Sequence, residues 1–281
     1  MIGFGLEAKR AIVSGAGYIP SRAGHGRFSS LQLAEAGATV ACIDIDEGRA
    51  KGIVSEIAAI GGKAFPVVAD MTVPSEVQRA VDQSCDEMGG VDVAVDIIGG
   101  ATWDKAQDFT DELWDFTIKH NLSQVFYLFR SVGRKMIDQG TGGSMVALAS
   151  VDGIAAAALH APYGAAKAGM ISLVKTFADE LGRYGIRVNA VAPGNVGSGN
   201  EDQPVGEYAV NGINPLAAPR AHDVANAVLF LSSALAERIT GHTLVVDGGA
   251  TIHQLWGFSD NLLPKFQKVQ IGPGSNDRGI G

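Results

Sequence analysis

Tyr163 and Lys167 stand four residues apart in SVDGIAAAALHAPYGAAK, the stretch from Ser150 to Lys167. Residues at i and i+4 share a helical face, so an ammonium is placed beside a phenol. A nearby cation favours the phenolate and draws a tyrosine pKa down from about 10. A phenol tuned in this way can exchange a proton with an alcohol or carbonyl oxygen. Ser150 lies thirteen residues before the tyrosine and ends the apolar run SMVALAS. A strand ending there presents its hydroxyl at the carboxyl edge, where open α/β sheets bind ligands. Taken alone, the Tyr163–Lys167 pair also fits a solvated amphipathic face, which is the commoner arrangement. The elements around it decide between the two.

Those elements alternate. KRAIVSG reads as a buried strand, SGAGYIPSRAGHGR as a glycine-rich turn, and FSSLQLAEAGA as a helix whose Phe28, Leu31, Leu33 and Ala34 pack on a sheet. A strand, a glycine loop and a helix in that order form half of a nucleotide-binding unit. Helix-start amides hold a pyrophosphate, and the glycines (Gly15, Gly17, Gly24, Gly26) let the backbone come close. The next strand, ATVACIDID, delivers Asp44 eighteen residues after Gly26, placed to accept from the adenosine ribose hydroxyls. An acid there repels a 2′-phosphate, which favours NAD over NADP. Asp44 also fits a helix N-cap, a role that Asp46 fills more naturally. Further on come the helix EGRAKGIVSEIAAIGG, the strand KAFPVVAD ending at Asp70, the helix VPSEVQRAVDQSCDEMGG and the strand VDVAVDIIGG. A long or broken helix around Asn121, the strand GGSMVALAS, the Tyr163 helix to about Tyr184, the strand GIRVNAVAPG, the helix AHDVANAVLFLSSALA and the strand GHTLVVDGG follow. The expectation is an α/β fold: a doubly wound parallel sheet of Rossmann type, three-layer αβα, in a single domain.

At 281 residues, 46% of them hydrophobic, the chain suits one domain over residues 1–250 and a C-terminal tail over 251–281. The loop at about 197–219 follows a strand's carboxyl end and is a candidate substrate lid. A formal charge of −8 disfavours nucleic acid or an anionic membrane as partner. Cys42 and Cys85 lack the neighbouring ligands that a metal site needs, and read as buried or half-buried free thiols. The start of the chain lacks the apolar core of a signal peptide and no window approaches a membrane span, so the expected location is cytoplasmic.

The ordered set SGAG...GHG, Asp44, Asp70, Asn121, Ser150, YGAAK, APGNVGS and VVDGG resembles the short-chain dehydrogenase/reductases from roughly Leu6 to Ala250. That resemblance implies that Tyr163 is the catalytic acid/base. It implies that Lys167 lowers the tyrosine pKa and binds the nicotinamide ribose. Ser150 would hydrogen-bond the substrate oxygen and Asn121 would hold a proton-relaying water. Asp70 and Met71 would flank adenine, and Val196, with Ser198 nearby, would meet the nicotinamide carboxamide. Without the family, Asn121 would be a helix-kink residue and Ser150 a strand terminus. Three departures stand out. Eight residues separate Gly15 from Gly24 where the family has three, so YIPSR reads as an insertion, with Arg22 a candidate phosphate contact. The family's Asn-Asn-Ala-Gly is here Asp96-Ile97-Ile98-Gly99, which puts an acceptor-only group at a buried strand end. Ala149 replaces the first serine of a Ser-Ser pair.

Trp103, the alanines from Ala155 to Ala158, His160, Asn195 and Tyr208 are the candidate pocket walls, with room for a bulky, mostly apolar cyclic, aryl or steroid-like substrate. His160 also fits a surface or capping histidine, and the place of Trp256 in the tail is open. The leading expectation is an NAD-dependent enzyme interconverting a secondary alcohol and a ketone. The alternatives are a 3-oxoacyl thioester reductase, a cyclic diol dehydrogenase, or a catalytically silent NAD-sensing protein. Val125, Phe126 and Phe129 with Met170, Val174 and Phe177 exceed what one sheet face is expected to cover. The family commonly pairs these helices between subunits, so a homo-oligomer, tetramer or dimer, is expected.

Overall fold

The computed structural model describes residues 3–19, 23–196, 216 and 218–252. Seven parallel strands form one sheet in the order β3-β2-β1-β4-β5-β6-β7. They are β1 (Arg10–Ser14), β2 (Thr39–Asp44), β3 (Lys63–Val68), β4 (Val93–Asp96), β5 (Gly143–Leu148), β6 (Ile186–Pro193) and β7 (Thr243–Val246). Each strand returns through helix, because parallel neighbours need a crossover. Along β1, Ala11 and Val13 face one apolar core and Ile12 the other, so the strand is apolar throughout. Leu33 of α1 (His25–Glu35), Ile53 and Ile57 of α2 (Glu47–Ala59), and Val224, Val228 and Leu231 of α7 (Ala221–Ser232) close the first core. The second holds Val77 and Val81 of α3 (Pro74–Met88), Leu128 and Phe129 of α5 (Gln124–Gln139), and Met170 and Val174 of α6 (Ala161–Leu181). A doubly wound, three-layer sheet results. Its strand order reverses between β1 and β4, which opens a ligand crevice at the carboxyl ends.

Element ends depart from the sequence expectation in small ways. β3 stops at Val68, leaving Asp70 in the turn beyond it, and α6 gives way at Gly182 to a short 3-10 turn reaching Tyr184. α4 (Asp111–Ile118) runs into α5 through a π-helical turn, Lys119–Ser123, that carries Asn121. Asp46 caps α2 by accepting from the Arg49 amide at 2.8 Å, as expected. The excess apolar surface expected on the Asn121 and Tyr163 helices is a correction. Val125, Phe129, Met170 and Val174 are fully covered by the chain's own sheet, and among the six only Phe126 is exposed, set edge-on against half-buried Phe177.

Asp96 ends β4 opposite Ser14 of β1 and is fully buried. The Ser14 hydroxyl donates to its Oδ1 at 2.6 Å and Gln124 Nε2 donates to its Oδ2 at 2.9 Å. The acid therefore ties β1 to β4 and α5, although it can only accept. Loss of solvent dominates, and pushes its pKa up to about 6 from 3.8, against the pull of Ser14, Gln124 and the Lys167 charge. A folded-state pKa above the unfolded value means that the native protein binds the extra proton between pH 4 and 6. Stability therefore falls as pH rises through that window, by at most about 3 kcal/mol. Gln124 Oε1 is buried with no partner and is available to an amide. Asp96→Asn removes the titrating acid and is expected to flatten the pH dependence of the melting temperature between 4 and 6, which thermal melts at pH 4.5 and 7 measure.

Candidate active site

The crevice at the β1/β4 switch point is a cleft of about 390 Å³ lined by the glycine loop, the end of β2 and the residues after β3 and β4. Gly24, at φ +81°, precedes the first turn of α1, which has no side-chain cap. Its backbone amides are left for a ligand. A Cβ on Gly26 would lie 1.9 Å from the Gly15 carbonyl oxygen, so loop and helix touch backbone to backbone. Gly17 donates its amide to Asp44 Oδ2 at 3.2 Å. This is a cradle that side chains would fill, and its shape fits the diphosphate of a dinucleotide. His25, unnoticed in the sequence, opens α1 and lines the cleft. Burial, with the Lys167 charge adding to it, pushes its pKa down to about 4, so the imidazole is neutral at pH 7. Arg22 of the inserted segment lies outside the described residues.

Asp44 stands at the end of β2 as expected, but its carboxylate is not open. Oδ1 accepts from Arg49 Nε at 3.0 Å, Arg49 Nη2 at 2.7 Å and the Asp46 amide at 3.0 Å. Sequence reading passed over Arg49, although a cation in the first turn of a helix opposes the helix dipole and needs an acid nearby. Across the cleft, Asp70 Oδ1 accepts from the Thr72 amide and hydroxyl at 2.8 and 2.7 Å, which fixes its carboxylate beside buried Met71. Gly99 closes this wall. A Cβ there would lie 2.7 Å from Asn121 Oδ1 and 3.1 Å from Lys167 Nζ.

The structure brings Asn121, Ser150, Tyr163 and Lys167 together at the carboxyl edges of β4 and β5. The π-helical turn carries Asn121 into the fully buried space behind Gly99 and Gly100. Its Nδ2 donates to the Gly100 carbonyl at 3.1 Å and the Thr117 carbonyl at 2.9 Å, and its Oδ1 accepts from the Gly100 amide at 3.0 Å. Asn121 is thus both the kink residue and a clamp on the wall of the site. Ser150, two residues past β5, accepts from the Asp152 amide at 3.1 Å and lies near enough to Tyr163 to bear on its phenol. Lys167 is buried, its Nζ donating to the Leu148 carbonyl at 2.6 Å and lying 5.7 Å from the Tyr163 ring centroid.

In this geometry burial dominates the tyrosine pKa. Burial pushes the Tyr163 phenol up to about 12; the Ser150 hydroxyl opposes this and the Asp152 charge adds to it. Lys167 points past the phenol to Leu148. Its own pKa is pushed down to about 8 by burial, with Asp96 opposing.

On the substrate side, His160 stands at the N-cap position of α6, but its side chain makes no cap hydrogen bond. Its Nδ1 pairs with Asp152 Oδ2 at 2.6 Å, and its ring stands edge-on to Trp103 and to Tyr163, with centroids 3.8 and 5.8 Å apart. Its Nε2 is buried without a partner. No short-range spacing in the sequence announces Asp152 as the group that orients this ring. Asn195 is exposed just after β6, and Val196 packs its side chain against the α1–α7 core. Ser198, Tyr208, Trp256 and nearly all of the 197–219 segment and the 251–281 tail lie outside the described residues.

A family model described as Enoyl-(Acyl carrier protein) reductase matches residues 21–251. L-rhamnose 1-dehydrogenase (NAD(P)(+)) of Sphingomonas sp. (strain SKA58) is 33% identical over 256 residues, covering 88% of this chain and 98% of its own. A short-chain type dehydrogenase/reductase from Mycobacterium marinum superposes with a TM-score of 0.80 at 33% identity, covering 89% of this chain and 98% of that one. The chain belongs to the short-chain dehydrogenase/reductase family. It is an oxidoreductase of that family. Carveol dehydrogenase from Mycobacterium avium, solved in complex with NAD, is 28% identical with a TM-score of 0.80, covering 90% of this chain and all of that one.

Asn121→Ala leaves the half-buried Gly100 amide without its acceptor, and is expected to cost about 1–3 kcal/mol. Denaturant unfolding of the purified variant reads this directly.

Proposed function

We propose that this oxidoreductase interconverts a secondary alcohol and a ketone with NAD, using Tyr163 as the proton-transfer group. The observation that carries the reading is the contact between Ser150 and Tyr163 beside buried Lys167, at the edge of a glycine-cradled crevice. The glycine loop from Gly15 to Gly26 would hold the diphosphate, Asp44 the adenosine ribose, Asp70 and Met71 the adenine, and Gly99, Lys167 and Val196 the nicotinamide half. When bound, NAD supplies the hydride acceptor, and its reduced form the donor.

The chain's own residues handle the oxygen and the proton. Ser150 and Tyr163 converge on one point, where two hydroxyls can grip a carbonyl or carbinol oxygen. A phenol at about 12 is protonated at neutral pH, the form that gives a proton to a ketone oxygen during reduction. Oxidation needs the phenolate, whose share grows tenfold per pH unit. The Lys167 ammonium, which keeps positive potential near the ring, is lost above about 8. Asn121 holds Gly100, and with it the wall next to Lys167, in place.

The substrate we infer has a bulky, mostly apolar body, cyclic, aryl or steroid-like. Exposed Trp103 and the small side chains of Ala155 to Ala158 support this. A second reading, a cyclic diol dehydrogenase, is favoured by His160: pairing with Asp152 fixes its ring, and its unpartnered Nε2 suits a second hydroxyl. Cytoplasmic residence and a dimer or tetramer accompany the reading as proposals. Among the described residues no helix is long and apolar enough to cross a membrane.

Tyr163→Phe is expected to lower kcat/KM for a cyclic secondary alcohol by about 10²–10⁴ while NAD still binds, as fluorescence titration can check. Intact turnover in that variant rejects the mechanism, and NAD binding without turnover in the wild type supports a silent NAD sensor. Alcohol oxidation is expected to rise between pH 6 and 8 and to flatten above, because gain of phenolate is then matched by loss of ammonium. A pH-independent rate across 6–8 excludes the phenol as the group that titrates. His160→Phe is expected to raise KM for a cyclic cis-diol by about tenfold, with little change for the matching mono-alcohol, if the second reading holds.

A further inference from the structure

We infer that His160 is a general base for enolisation, so that the site exchanges the α hydrogens of its ketone as well as transferring hydride. The inference rests on the reading of Ser150 and Tyr163 as the grip on a carbonyl oxygen, and adds an activity with no change of oxidation state. A carboxylate only accepts, so the 2.6 Å contact of Asp152 Oδ2 with Nδ1 puts the ring proton on Nδ1. The uncharged imidazole then carries its lone pair on Nε2, the arrangement of an oriented base. That nitrogen is shut off from solvent and has no partner among the described residues. Hydride transfer and the phenolic proton make no use of it.

The backbone beside the ring is held in an unfavourable conformation. Leu159, immediately before His160, has φ +69°, and only one other non-glycine residue among those described has a positive φ. Its side chain is 47% exposed, so packing does not offset the strain. The Asp104 amide donates to the Leu159 carbonyl at 3.1 Å and the Gly164 amide to the His160 carbonyl at 2.8 Å, which pins the ring between the Trp103 segment and α6. Asp152 also donates its amide to Ser150 Oγ at 3.1 Å, so one residue orders both the grip and the base. The imidazole and Tyr163 ring centres are 5.8 Å apart, with planes at 79°. A ketone whose oxygen meets the phenol has its α carbons about 2.4 Å from that oxygen, within the scale of this gap.

In the step, Nε2 takes an α proton, the C–H pair becomes a C=C bond, and the carbonyl π pair moves to oxygen. Ser150 and Tyr163 stabilise the charge that develops there, and Tyr163 supplies the proton that completes the enol. Return of a proton from Nε2 to carbon, and of the oxygen's proton to the phenolate, restores the ketone with no electron gained or lost.

The experiment follows deuterium entry from D2O into the α positions of a cyclic ketone by proton NMR, on the full-length protein with NAD present. The probe is a ketone that the wild type reduces with NADH, cyclohexanone being tried first. NAD cannot give hydride to a ketone, so exchange is read apart from reduction, which is measured in parallel with NADH. The wild type is expected to speed exchange by about 10²-fold or more over buffer. His160→Phe should return exchange to the buffer rate while reduction falls by less than about tenfold. Should His160→Phe not fold, Asp152→Asn answers instead: its amide N–H donates to Nδ1 and turns the ring proton onto Nε2, and exchange should again be lost ahead of reduction. A wild type that reduces the ketone but exchanges it no faster than buffer overturns the inference, as do variants in which exchange and reduction fall in step. A wild type that reduces no cyclic ketone would instead refute the alcohol–ketone reading.

Discussion

A single buried ammonium sets the terms for the centre of this molecule. Lys167 is screened from water, has one hydrogen bond to the Leu148 carbonyl, and shares its surroundings with a buried carboxylate at the end of β4. A charge removed from solvent destabilises the native state unless an opposite charge and good acceptors compensate. Asp96 supplies the charge, and is itself held by Ser14 of β1 and Gln124 of α5. Three strands and two helices are therefore bound through polar groups into one arrangement, at the place where the sheet splits. The substitution of Asp for the family's Asn at position 96 makes sense in this light. Acid and ammonium are each costly alone, and their fields offset one another.

The same principle governs the opposite end of the crevice. Asp44 is nearly as buried as Lys167, and Arg49 with two backbone amides balances it. Charge is thus neutralised locally at both ends of the cleft, and the glycine cradle between them contributes backbone amides and no side chains. A ligand that spans the cleft meets one anchored pair at each end. Between the two, α1 presents its first turn beside a neutral His25.

The parallel sheet of alternating strands and helices and the four polar positions Asn121, Ser150, Tyr163 and Lys167 were legible in the sequence because they rest on local signals. These are apolar runs of strand length, glycine-punctuated turns and residues four apart on a helix. What was not legible depends on contacts between residues that no local pattern relates. Asp152 orients His160 from eight residues away across a turn, and Gln124 reaches Asp96 from another element. The burial that dominates the tyrosine pKa is of the same kind. Spacing placed Lys167 on the right face of α6, but the Leu148 carbonyl, which takes the ammonium away from the phenol, belongs to β5. Helix faces likewise overstated the apolar surface left for a partner, since burial of Val125 and Met170 is decided by the sheet beneath them.

The π-helical turn at Lys119–Ser123 has a consequence for how this chain can change over time. Each residue of an α-helix advances the winding by about 100°, so one residue more or fewer sets every later side chain on a new azimuth. Upstream of the turn the phase buries Thr117 against Thr102, and downstream it aims Val125, Leu128, Phe129, Val132 and Met136 at the sheet. The widened turn reconciles the two phases within five residues. Single-residue insertions and deletions are therefore barred from this segment, while the exposed first turn of α4 is free to lengthen or shorten.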